Sequence, residues 1–469
     1  VLIALLAGCA PSEAQSPAPQ QIPDTLTNTA AAIPAMCWTD PQGEHNPCYV
    51  CHRAGTPPNF NDDSELQAAW DMPAPALENP WSNLWVQPDL SAWTDDEILA
   101  WVRTDNLSTL SVQGWDGDHK PGWSGYTPGD DADWSPLRYT PLPGAFWPTN
   151  GSFDDVFIRL PPELRGAHYA HNLALTEALV LQRDVPLDTP LQELTVDLDG
   201  DGVMGTAERV VFRWPGLAYE GGEGAAPGLF PVGTEFLHSV RYLDVVDGQV
   251  VAAARVKELR YMRKERAIGW LGHEQLALSE GKERHELPDA VRRPLGNPET
   301  GLLTPSGWRI SGFIEAADGT LRPQTTEETL WCVGCHSGVV GGATDSTWAY
   351  ARKVPGVHDQ DLRGLPEPTR PDETGEYATY LERAGAGDEL RANTELIARF
   401  LDQPGPSYTD DISVLVIPSP ERALDLNRSY RHIVVAQSYG LGRQGLLEPA
   451  VNVRDQVEQG EATGLTPVQ

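Results

Sequence analysis

Two short stretches each bring two thiols and an imidazole onto one turn of chain. They are Cys48-Tyr-Val-Cys51-His52 and Cys332-Val-Gly-Cys335-His336. Thiols at this spacing form thioethers with the two vinyl groups of a porphyrin, and the adjoining imidazole binds the iron from the proximal side. Four of the chain's six cysteines lie in these stretches. A zinc site or a redox dithiol would use the same thiols but does not account for two such copies. The expected cofactors are therefore two c-type haems, with His52 and His336 as proximal ligands. Cys37 lies outside both stretches and is expected to be a free core thiol.

Both stretches resemble the attachment motifs of c-type cytochromes. His52 is followed by Arg53-Ala-Gly, and Met72-Pro73-Ala74-Pro75 lies further on. Distal methionines of small cytochromes c often sit in such a Met-Pro loop, so the resemblance offers Met72 as distal ligand of the first haem. His119 is the other downstream candidate. No methionine follows Met262, so a distal ligand from the second haem's own region must be His358 or His432. His168, His171, His238, His273 and Met262 are the alternatives from the middle of the chain. His358 is preferred because Pro355-Gly356 can turn the chain back over the porphyrin, with Arg352 and Lys353 near the propionates. The resemblance implies a dihaem c-type cytochrome lipoprotein, similar at most distantly to bacterial dihaem cytochrome c peroxidases. Electron transfer between periplasmic or outer-membrane redox partners is the function expected. The alternative is a peroxidase-like dihaem oxidoreductase with one open iron, because only a haem without a sixth ligand binds small molecules.

Residues 197–208 read Asp-Leu-Asp-Gly-Asp-Gly-Val-Met-Gly-Thr-Ala-Glu. This matches the calcium loop of the EF-hand family. Asp197, Asp199 and Asp201 stand at positions one, three and five, Val203 offers a carbonyl at seven, and Glu208 stands at twelve. The flanks look extended rather than helical, so a structural Ca2+ site outside the cell is expected.

Residues 1–9, Val-Leu-Ile-Ala-Leu-Leu-Ala-Gly-Cys, look like the tail of a bacterial lipoprotein signal peptide. Leu6-Ala7-Gly8-Cys9 is its lipobox and Cys9 the lipidated residue. With Val first and no basic segment before it, the signal reads as truncated. Ala10 after the cysteine points to the outer membrane, facing the periplasm or the cell surface. The net charge of −33 comes from 67 acidic against 34 basic residues. Such a surface repels phosphate backbones, which excludes nucleic acid; it would attract a basic redox partner, or else reflects a saline habitat.

The elements that must position these groups are expected to form a loop-rich α+β chain, in keeping with 41 prolines and 44 glycines. A flexible tether over 10–34 leads to a first haem region over 35–150. A strand-rich middle domain with the calcium loop spans 151–320, and a second haem domain spans 321–469. The two haem regions are expected to be mainly helical and cytochrome c-like. A capping box, Thr94-Asp-Asp-Glu97, opens one helix, and Thr325-Thr-Glu-Glu328 opens another that runs into Cys332. Periodicity predicts a helix over 168–183, and alternation predicts strands over 156–160, 209–213, 239–246 and 250–261. Further helices are expected over 377–384 and 395–401 and a strand over 412–417. Asp247-Gly248 and Asp318-Gly319 read as hairpin turns.

Overall fold

The computed structural model describes residues 35–38, 77–107, 134–137, 139–140, 150–181, 184–213, 216–221, 225–286, 294–336, 345–346, 352–353, 417–451 and 453–458. Its α-helices are α1 (Asp95–Val102), α2 (Tyr169–Leu181), α3 (Trp270–Glu286), α4 (Thr326–His336) and α5 (Pro420–Ala436). Its strands are β1 (Ser135–Leu137), β2 (Tyr139–Thr140), β3 (Phe153–Arg159), β4 (Val185–Gln192), β5 (Thr206–Val210) and β6 (Glu235–Val246). They continue with β7 (Gln249–Lys264), β8 (Leu295–Asn297), β9 (Gly301–Leu303), β10 (Trp308–Glu315), β11 (Leu321–Pro323) and β12 (Arg352–Lys353).

An eight-stranded antiparallel sheet dominates, in the order β1-β3-β6-β7-β10-β9-β8, with β11 also paired to β10. Its spine is the long β6–β7 hairpin. Asp247 and Gly248 turn it with φ of 51° and 76°, the positive values that a two-residue turn needs to match the strand twist. Successive side chains point to opposite faces of a strand, and both faces are covered. On one face Val156, Ile158, Phe236, Met262 and Ile310 join a core that includes Leu175 and Leu179 of α2 and Leu330, Trp331 and Val333 of α4. On the other, Phe157, Leu237, Leu259 and Phe313 pack with Trp134 and Leu107.

The hairpin is irregular where its register shifts around Arg241. Asparagine side chains from outside the sheet satisfy the backbone groups released there. Asn427 of α5 donates to Leu243 O at 2.7 Å and accepts from Leu243 N at 3.3 Å. Asn106 donates to Val256 O at 2.9 Å and accepts from Val256 N at 3.0 Å. All four backbone groups would otherwise be buried without partners.

The expected architecture is corrected here. The described residues do not form two mainly helical cytochrome c-like regions flanking a strand-rich middle. The large sheet is the organising element, and the outlying helices serve it. Ile98 and Val102 of α1 share a core with Leu424, Tyr430, Ile433 and Val434 of α5 and with Tyr242, Ala253 and Ile314 of the sheet. The capping boxes are local signals and form as expected, at Thr94 with Glu97 and at Thr325 with Glu328. Helix periodicity says that a face is buried but not against what, so α1 was open to a separate-domain reading, and α5 was not expected from the sequence. The helices expected over 377–384 and 395–401, and all but the last residue of the strand over 412–417, lie outside the described residues.

Replacing Asn427 by Ala leaves a buried N–H and a buried C=O unpaired at the register shift. Each such group costs roughly 1–3 kcal/mol, so Asn427→Ala is expected to lower unfolding stability by about 2–4 kcal/mol in urea denaturation. A change below about 0.5 kcal/mol would show that the pairing is replaceable.

Candidate metal centres

The second cysteine-histidine stretch forms the last turn and a half of α4. Cys332, Cys335 and His336 stand at i, i+3 and i+4, the spacing that lines residues along one helix face. The helix is fixed at its start. Thr325 accepts from Glu328 N at 3.2 Å, and the Glu328 carboxylate accepts from Thr325 N at 2.8 Å. Both oxygens of Glu328 also receive Arg322 at 2.8 Å. Trp331 stacks edge-on against Trp81, with ring centroids 4.5 Å apart.

Cys332 is buried beside a charged cluster on the sheet. Glu258 of β7 accepts from Arg260 at 2.9 Å, Arg443 at 2.7 Å and Gln324 at 3.3 Å. Burial alone would raise the Glu258 pKa, but Arg260 and Arg443 hold it below the usual carboxylate range. Burial pushes the Cys332 thiol up, and the same two arginines oppose that shift. His336 is half-buried, and its Nδ1 lies 3.4 Å from Ser346 Oγ. This donor set fits a haem attached at one turn of helix. Two thiol positions and an imidazole share a face, and the thiol described is shielded from solvent.

The first stretch, Cys48, Cys51 and His52, lies outside the described residues, as do Met72, His119, His358 and Cys9. Cys37 falls in a short 3-10 helix, Ala35–Trp38. Several alternative distal ligands are committed elsewhere. His238 Nε2 lies 2.7 Å from Asp154 Oδ2. Burial, and then Arg260, bring the His238 pKa down to about 3, so this imidazole is neutral. His171 Nε2 meets Gln192 O at 2.7 Å, and His432 Nε2 meets Asp89 O at 2.7 Å. Met262 is a core residue. His273 is buried, and burial followed by Lys264 lowers it to about 4. His168 does not share a helix with His171, because it ends the 3-10 turn Gly166–His168 before α2 begins.

The acidic loop joins β4 to β5, which pair antiparallel. Asp197 accepts from Gly200 N at 2.6 Å and Gly202 N at 3.1 Å, and Asp201 accepts from Val203 N at 2.7 Å. Desolvation works to raise Asp197, but these N–H groups and Arg213 outweigh it and hold the carboxyl below its usual range. Gly200 has φ of 76°, the left-handed conformation that favours glycine.

The structure brings Asp197 and Asp199 together with Glu193, with ligand atoms of all three within 4.8 Å of one another. Asp201 and Glu208 are exposed and stand outside that cluster, and Val203 is exposed. Sequence reasoning missed Glu193, which lies ahead of the loop at the end of β4. Its buried carboxylate accepts from Leu198 N at 2.6 Å and Gly205 N at 2.7 Å, tying the two ends of the loop. The signal was present in the extended flanks: a loop between strands has no second helix to close it and needs an acceptor from the strand itself.

The model of a lipoprotein family matches residues 111–413. A protein of Aquifex aeolicus (strain VF5), described as an uncharacterized lipoprotein, is 26% identical over 93% of this chain and 90% of its own length. No solved structure matches. The expected membership among dihaem c-type cytochromes is corrected by the family match, and with it the distant likeness to dihaem cytochrome c peroxidases. Attachment motifs of five residues recur across unrelated chains and do not define a family. Export and a lipid anchor, expected from residues 1–9, agree with the match.

Proposed function

The chain belongs to this lipoprotein family, and on that footing we propose that it is a lipid-anchored electron carrier outside the cytoplasm. Its redox groups are c-type haems held at Cys48, Cys51 and His52 and at Cys332, Cys335 and His336. The observation that carries the proposal is the last turn of α4, where Cys332, Cys335 and His336 share one helix face on a capped helix packed against the sheet. When bound, haem supplies a one-electron couple whose potential follows its axial ligands and surroundings. The chain's own residues do the rest. The two cysteines would fix the ring, His336 would supply the proximal nitrogen, and Trp331 with its neighbours excludes water from that side. The net charge of −33 favours a basic redox partner, by steering its approach. Ala10 after Cys9 supports retention at the outer membrane.

The proposal includes a structural calcium ion at the 197–208 loop. Asp197, Asp199 and Glu193 supply the hard oxygen ligands that calcium prefers. Asp201, Val203 and Glu208 are the further ligands that the loop's spacing offers, and Asp201 and Glu208 would have to move in toward the cluster to join it. A calcium ion there would relieve repulsion among the carboxylates and stiffen the β4–β5 connection.

Two outcomes test this reading. Cys332→Ala combined with Cys335→Ala is expected to reduce the haem stain of a denaturing gel to about half, the stain of one remaining thioether-bound haem. An unchanged stain would remove the second site. Calcium chelation is expected to lower the thermal midpoint of the wild type, and Asp197→Ala with Asp199→Ala to abolish that response. Equal midpoints with and without calcium would reduce the loop to a solvated turn.

A further inference from the structure

The sheet reaches His336 through a buried clamp. Lys264, the last residue of β7, and Trp308, the first of β10, are cross-strand neighbours. Lys264 is 1% exposed, and its ammonium donates to Ser306 O at 2.8 Å and to the Asp345 carboxylate. Trp308 Nε1 donates to Asp345 O at 3.0 Å. Asp345 and Ser346 are both fully buried. One residue is thus held through its side chain and its carbonyl by two different strands. The next residue, Ser346, brings its hydroxyl to 3.4 Å from His336 Nδ1.

We propose that Ser346, held by the Lys264–Asp345–Trp308 clamp, is a positioning residue that orients the His336 imidazole and sets its strength as an iron ligand. The inference rests on the haem reading of α4. An imidazole that binds metal through Nε2 carries its proton on Nδ1, and a hydroxyl there accepts it. Such an acceptor fixes the ring's rotation and makes the ligating nitrogen more electron-rich, which favours the ferric state. The clamp explains why the contact survives at the end of a helix, where backbone groups fray. Burial works against both charges of the pair: it lowers Lys264 and raises Asp345, and each partner opposes the other's shift. A buried pair of this kind is costly to break from one side, so the segment that carries Ser346 has little freedom to leave.

The test compares wild type, Ser346→Ala and Ser346→Thr as purified, haem-loaded full chains by redox titration and thermal denaturation. Ser346→Ala is expected to shift the second haem to a more positive potential and leave the thermal midpoint close to that of the wild type. Ser346→Thr, which keeps the hydroxyl, is expected to restore the wild-type potential. An unchanged potential in Ser346→Ala, with covalent haem present, overturns the positioning role and leaves the haem reading intact. A wild type without covalent haem at α4 overturns both. A thermal midpoint that falls in Ser346→Ala without a change in potential would show a purely structural hydroxyl and overturn the inference.

Discussion

The centre of the sheet is a strand full of charge. Arg255, Lys257, Glu258 and Lys264 of β7 are all almost wholly buried, although an unpaired charge in such a place costs several kcal/mol. Each must find a partner, and the partners come from different parts of the chain. Arg255 pairs with Glu315 of β10 and donates to Gly319 O at 2.6 Å in the β10–β11 turn. Lys257 donates to Gly151 O at 2.6 Å ahead of β3. Glu258 receives Arg443 from beyond α5, and Lys264 receives Asp345. Burial still leaves its mark, lowering Lys257 to about 7 and raising Glu315 to about 7.

These pairings decide where the cysteine-histidine turn of α4 sits. Arg443, drawn in by Glu258, also meets the backbone of Glu328 at the start of α4. Its guanidinium lies 5.3 Å from the Trp331 ring. Cys332 follows directly on Trp331, so the proposed attachment turn is positioned by a charge on the central strand. Asp345, drawn in by Lys264, carries Ser346 to the other end of the same helix. The two ends of α4 are thus held by two residues of one strand, six positions apart along β7 and on the same face of its pleat.

The sequence made the local devices legible. The Asp247-Gly248 turn, both capping boxes, the helix at Tyr169–Leu181 and the three aspartates of the acidic loop are spelled within a few residues each. Alternation made β3, β5, β6 and β7 visible, but the central β10 and the short strands β1, β2, β4, β8, β9, β11 and β12 were not expected. The strand expected over 209–213 instead ends at Val210. What escaped reading depends on distant pairs. Glu258 and Arg443 are 185 positions apart, and nothing in either neighbourhood announces the other. Buried charges on β7 look in sequence like a solvated strand face. α1 was expected within a separate haem region, and α5 was not expected as a helix at all; both close over the sheet. Glu193 escaped for a smaller reason, since the twelve-residue loop seemed complete without it.

The proposal stands or falls on covalent haem at the two cysteine-histidine turns. The most direct measurement is an alkaline pyridine haemochrome spectrum of the purified full-length protein after acid-acetone extraction, set against protein concentration. The expected result is an absorbance band of thioether-linked haem that survives extraction, with two haems per chain, one for each Cys-x-x-Cys-His stretch. A spectrum without retained haem, from protein made in a host that attaches c-type haem, would contradict it.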